Sequence, residues 1–139
     1  MPKTPKPKRT ASQVKKSIWK LRSEITRRRD SDWRGQGRCI DCGKLVEDWK
    51  EGDAGHYISR VYDHTTPLLK DARNVNLQRK QCNMHPDGET MNNYRKALDR
   101  KYGAGTADEL ERLKHVEKYW KYSELVAYED ELKQKLKSL

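Results

Sequence analysis

The chain lacks phenylalanine altogether, holds only three cysteines, and has no apolar run near the about 20 residues that cross a bilayer. Apolar residues make up 33% of its 139 positions and charged ones 37%, which excludes a large oily core. A core this small calls for a staple such as a metal or an oligomer contact. The absence of a hydrophobic leader argues against secretion, so the three cysteines read as metal ligands rather than a disulfide framework. Cytoplasm is the expected compartment, with no membrane partner.

What is abundant is positive charge, and it is unevenly placed. The net charge is +10, of which residues 1–30 carry +9: eleven Lys and Arg against Glu24 and Asp30. Residues 31–90 sum to −1 and residues 91–139 to +2. A basic arm beside a near-neutral body suits binding to a phosphate backbone, which is strong, indifferent to sequence and sensitive to salt. The residues expected to contact DNA are Lys15, Lys16, Lys20, Arg22, Arg27, Arg28 and Arg29, with Arg60 from the body.

Local patterning divides the chain into four parts. Residues 1–10, with prolines among lysines, predict a disordered basic tail. Residues 11–32 predict a helix running to about Arg29, capped by Ser12, with Val14, Ile18, Leu21 and Ile25 on one face. Residues 33–103 form the expected core: a knuckle at Cys39–Gly43, a strand near His56–Arg60, an irregular stretch around Pro67, and an extended Asn74–Gln78. A helix follows from about Thr90 to the glycines at 103 and 105. Residues 104–139 predict a helical extension whose stripe of Leu125, Tyr128, Leu132, Leu136 and Leu139 either forms a homodimer surface or folds back to complete the monomer's own core.

Chemistry concentrates in three separated pieces: Cys39-Ile40-Asp41-Cys42-Gly43, Asp53-Ala54-Gly55-His56, and the run from Asn74 to Asn83. A Cys-x-x-Cys pair fits half a zinc tetrahedron, and Cys82 adds a third thiolate. The Cys-x-x-His spacing from Cys82 makes His85 the first choice for a fourth ligand, with His64 behind it. His56 is the candidate general base, since a neutral imidazole suits removal of a proton from water near neutral pH. Asn83 and Asp53 offer the hard oxygen donors that Mg²⁺ or Mn²⁺ takes. Asn74 is placed to brace the connecting loop or to orient the His56 ring.

These pieces together resemble the NinG/Rap recombination proteins of lambdoid phages. The similarity runs from about Ile18 to the C-terminus through Arg28-Arg29-Asp30, the Cys39–Gly43 knuckle, Asp53-Ala54-Gly55-His56-Tyr57-Ile58-Ser59-Arg60, Asn74-Val75-Asn76-x-Gln78, Cys82-Asn83, Gly88, Tyr94 and Tyr102-Gly103. The Cys82-Asn83 step is also similar to phage endonuclease VII, a ββα-metal resolvase. The resemblance implies a structure-specific endonuclease acting on branched recombination intermediates such as Holliday junctions and D-loops, in the host cytoplasm. It implies His56 as base and Asn83 as Mg²⁺ ligand. The chain departs from that pattern at Arg79, where the family has a zinc cysteine, and at Gly55, where HNH enzymes often place a further ligand.

The expectation is therefore an α+β fold: a small zinc-stabilised ββα-metal (HNH-like) core with a basic N-terminal helix and a helical C-terminal extension. Its partner would be branched or double-stranded DNA, its cofactors structural Zn²⁺ and catalytic Mg²⁺ or Mn²⁺. The rival expectations are a zinc-bound DNA-binding module without catalysis and an HNH nuclease cutting ordinary duplex.

Overall fold

A computed structural model describes residues 8–139. The disorder expected of residues 1–7 lies outside the described residues. Helix α1 spans Ala11–Arg29, strands β1 and β2 span Gly37–Arg38 and Leu45–Val46, and β3 and β4 span Asp53–His56 and Val75–Gln78. Helix α2 covers Lys80–Met84, α3 Gly88–Tyr102, α4 Thr106–Leu113 and α5 Tyr122–Lys137. The fold is mixed α+β with two separate two-stranded antiparallel sheets, β1–β2 and β3–β4. No helix among the described residues is long and apolar enough to cross a membrane.

The cap of α1 is Thr10, two residues before the expected Ser12. The Thr10 hydroxyl accepts from the Gln13 N–H, and the Gln13 side chain returns a bond to the Thr10 N–H, closing a capping box. Ser12 lies inside the helix. The tail is also ordered further back than expected: Arg9 forms a two-pronged pair with Glu129, at 2.8 and 2.7 Å, and its carbonyl accepts from the Tyr122 hydroxyl.

The C-terminal stripe is not left open. Leu125, Tyr128 and Leu132 pack with Val14, Ile18, Ile25 and Leu69 in one apolar cluster, so α5 is covered by the chain's own α1. Three of the five stripe residues are thus spent inside the monomer, Leu136 is partly buried against the same cluster, and Leu139 stays exposed. Nor is the extension continuous. Between α4 and α5, residues 114–121 leave the helix, where the Lys118 N–H reaches the Thr65 carbonyl and the Trp120 indole reaches the Thr66 carbonyl.

The β3–β4 hairpin lies at the centre, contacted by α1 and by α3. Its register pairs Asp53 with Gln78, Ala54 with Leu77, Gly55 with Asn76 and His56 with Val75. The strand occurs three residues earlier than the sequence suggested, because Ser59 and Pro67 start short 3-10 turns and only residues 53–56 have a partner. All four residues of β4 are buried, two of them polar. Buried amides are costly unless paired, and both are paired. Asn76 donates to the Arg73 carbonyl and to the Tyr94 hydroxyl, and accepts from Arg29, Lys101 and Tyr102. The Gln78 amide donates to Asp41 in the knuckle. The Asn-Val-Asn-x-Gln block thus reads as a set of internal clamps.

Candidate metal centre and groove

The knuckle is built by β1, β2 and the first turn of α2. Between the two strands the chain reverses at Gly43, whose φ of +72° suits a residue without Cβ. The Gly43 N–H bonds to the Cys39 carbonyl at 3.0 Å, and the Ile40 N–H bonds to the Leu77 carbonyl at 2.9 Å, which fixes the knuckle against β4. Helix α2 brings Cys82 to the same point. The Sγ atoms of Cys39, Cys42 and Cys82 and a carboxylate oxygen of Asp41 all lie within 4.8 Å of one another. A tetrahedral zinc with bonds of about 2.3 Å separates its sulfurs by about 3.8 Å, so this donor set suits zinc with little movement.

The fourth donor atom beside the three sulfurs belongs to Asp41, and His85 is not in the cluster. His85 caps the C-terminal end of α2, exposed and outside the cluster. Helix α2 ends at Met84, and residue 85 has already left helical geometry at φ −129° and ψ 58°. His64 is likewise elsewhere, beside Lys15 and Asp63, where burial first and then Lys15 lower its pKa. Arg79 contributes without ligating. Its backbone N–H points at the Cys39 sulfur at 3.3 Å and its guanidinium at Cys42 at 3.7 Å. Three thiolates and a carboxylate around a divalent ion leave excess negative charge, which an adjacent guanidinium offsets. Burial, followed by nearby Asp41 and Cys39, pushes the Cys82 thiol up; ligation would reverse this by taking the thiolate form.

Beside the knuckle runs an open groove of about 570 Å³, lined by residues of α1, β3 and α2 together with Lys50 and Arg60. Consecutive β3 residues line it, so it follows the unpaired edge of the strand and not one face. That geometry brings Asp53 and His56 to the same groove, although their spacing along a strand places them on opposite faces. Asn83 completes the set: its Nδ2 donates to Asp53 Oδ2 at 3.0 Å. Lys80 Nζ sits on Asp53 Oδ1 at 2.7 Å. The Asp53 carboxylate is thus neutralised by the Lys80 ammonium.

His56 is fixed by two contacts. Its Nε2 lies 2.8 Å from Asp63 Oδ2, and its ring is tilted against Trp19 with centroids 4.9 Å apart. A carboxylate on Nε2 favours the tautomer with its proton there, leaving Nδ1 as the free acceptor. Asp63 is itself buried and receives Arg22 Nη1 at 3.2 Å. Sequence reasoning missed Asp63, which lies in an irregular segment where no periodicity marks it. It also missed Asp41 as a donor, although that residue is the sole acid between the two knuckle cysteines.

The remaining expected site residues divide clearly. Arg27 and Arg60 line the groove, Arg60 with its guanidinium 4.6 Å above the Trp19 ring. Lys16 and Lys20 face solvent, Lys15 is half-buried, and Arg28 pairs with Glu24 at 3.4 Å. Arg22 is not available to DNA: it is buried and bonded to Asp63, the Leu68 carbonyl and the Asp71 carbonyl. Arg29 likewise spends its donors on Asp30, Asn76 and the Ala72 and Val75 carbonyls. Asn74 is fully buried and clamps the Ile58 N–H and C=O at 2.8 and 3.1 Å, so it braces the loop and does not touch the His56 ring. Gly55 has no space for a ligand side chain, because the Gln78 side chain lies across it and the Tyr94 hydroxyl takes its carbonyl at 2.6 Å.

The fold and site define an α+β chain with a cysteine-aspartate cluster suited to a metal, next to a polar groove. A family model described as bacteriophage lambda NinG protein matches residues 3–139, and the chain belongs to that family. Neither the curated proteins nor the solved structures gave a match.

Proposed function

We propose that the chain is a metal-dependent endonuclease that cuts branched DNA, with a zinc-stapled ββα-metal core. The observation that supports this most is the meeting of His56, Asp53 and Asn83 in a groove walled by Arg27, Lys50, Arg60 and Lys80. The order β3, β4, α2 supplies the two strands and helix of such a core, with the knuckle at its base. Cys39, Asp41, Cys42 and Cys82 hold zinc in this reading, and Asp53 and Asn83 hold Mg²⁺ or Mn²⁺. A divalent ion held by Asp53 and Asn83 would supply neutralisation of charge on the phosphate and the departing sugar oxygen.

The chain's own residues do the rest. Nδ1 of His56 takes the proton of a water as the water's oxygen bonds to phosphorus and the sugar oxygen leaves. Asp63 holds the ring by Nε2, and Trp19 restricts its tilt, which leaves Nδ1 as the nitrogen free to take a proton. Arg27 and Arg60 pair with phosphate oxygens, a contact indifferent to base sequence. A catalytically silent DNA-binding module is the second reading, favoured by the Lys80 ammonium, which satisfies Asp53 without a metal.

Zinc-loaded protein incubated with a four-way junction, a D-loop and linear duplex, each with Mg²⁺ or Mn²⁺, tests this. Nicking concentrated at the branched substrates is expected. Tight binding with intact strands would favour the silent module, and equal cutting of linear DNA a general duplex nuclease.

A further inference from the structure

Trp33 is the most exposed large apolar side chain among the described residues, at 92%. A lone surface aromatic is ordinary, but this one is held out by a rigid support. The Asp32 carboxylate accepts from the Arg34 and Gln36 N–H groups at 2.9 and 3.0 Å. The Asp32 N–H bonds to the Gln36 carbonyl at 2.7 Å, and Gly35 turns the chain at φ +83°. The base of the turn is locked at Gly37, where a Cβ would strike the Asp30 carbonyl and Leu77. The backbone that carries the indole is therefore preformed and has little freedom left to lose on binding.

The surroundings specify the partner. Arg34 lies 5.9 Å from the Trp33 ring. The Gly35 carbonyl accepts from the Trp49 N–H at 2.9 Å, tying the turn to a second indole that Arg27, Arg28 and Lys50 surround at 5.1 to 5.8 Å. Arg27 and Lys50 also line the His56 groove, so the cations around Trp49 connect that groove to the Trp33 turn. Arg34 is itself held by Asp32 at 3.2 Å, so the cations that would take phosphates are those around Trp49, next to the exposed ring that would stack on a nucleobase. In continuous duplex every base face is covered by its neighbours. A free face exists only where stacking is interrupted, at a junction, a flap or a gap.

We infer that Trp33 is a stacking platform for an unstacked base at a DNA branch point, and that it sets the preference for branched over linear DNA. This rests on the proposed reading of the groove as a DNA site. The test uses zinc-loaded full-length protein without added Mg²⁺ or Mn²⁺, so that strands stay intact. A four-way junction carrying 2-aminopurine at the branch point is compared with linear duplex of the same sequence. Wild type quenches the probe; Trp33→Ala loses the quench and weakens junction binding about tenfold, while duplex binding stays within about twofold. Trp33→Tyr retains most of both signals. Equal loss on both DNAs, or no loss on the junction, overturns the role of Trp33 while leaving the groove reading intact. Failure of wild type to bind any of the DNAs overturns both.

Discussion

Replacing Arg22 with leucine separates its two possible roles, because the residue belongs to a basic helix yet faces inward. Its side chain is 5% exposed and meets Asp63, itself 3% exposed, at 3.2 Å. It also satisfies the Leu68 and Asp71 carbonyls at 3.1 and 3.0 Å. Arg22→Leu leaves the Asp63 carboxylate buried with only His56 beside it and strips two carbonyls of a donor. Breaking a buried pair from one side costs about 3–5 kcal/mol. For a chain of this length that lowers Tm by roughly 10–20 °C. Thermal melts of zinc-loaded protein, followed by far-UV circular dichroism, measure it. The double variant Arg22→Leu with Asp63→Leu should be less destabilised than the two single changes summed, by about 1 kcal/mol or more, because no charge is then stranded. A single variant that melts within about 3 °C of wild type but loses DNA affinity would refute this, and return Arg22 to the phosphate-binding face.

Leu125→Ala, at a position 1% exposed against α1, should cost about 2–5 kcal/mol, and ending the chain near Tyr122 should unfold α1 packing rather than dissociate a dimer; urea melts and sedimentation read both. Asp41→Asn should lower zinc affinity by 10-fold or more, while His85→Ala leaves it unchanged, as competition with a chromogenic chelator reports (about 10–100-fold is typical of perturbed metal-site partners). The Arg9 guanidinium holds Glu129 down at about 2 from its ordinary 4.5, so its pairing stabilises the fold above pH 4.5 and is lost as pH falls towards 2. The Tm gap between wild type and Glu129→Gln should therefore be full at neutral pH and close across that window.

Much of the site was legible because its residues sit in short, chemically biased words. The knuckle declared itself by two cysteines and a glycine, and Asn83 by following Cys82. His56 was found through its neighbours, since a lone histidine carries little. What stayed hidden depends on packing between distant segments. Asp63 lies seven residues past His56 in 3-10 turns, where the chain has no period to read, and only the fold brings it to the imidazole at 2.8 Å. Arg22 carries the same charge as Arg27, and helical position alone distinguishes the buried ion pair from the groove wall. The α5 stripe was read correctly as apolar. The sequence left open whether a second copy or the chain's own body covers it, because the complementary stripe on α1 lies more than a hundred residues earlier.

The central claim is that His56 acts as the base of a metal-dependent cut. Its most direct test compares wild type and His56→Ala on one labelled four-way junction, with saturating Mg²⁺, equal zinc content and matched binding. Wild type should nick the junction and His56→Ala should cut at least about 100-fold more slowly while binding it with unchanged affinity. Intact strands with wild-type protein, or cutting by His56→Ala at the wild-type rate, would contradict the account.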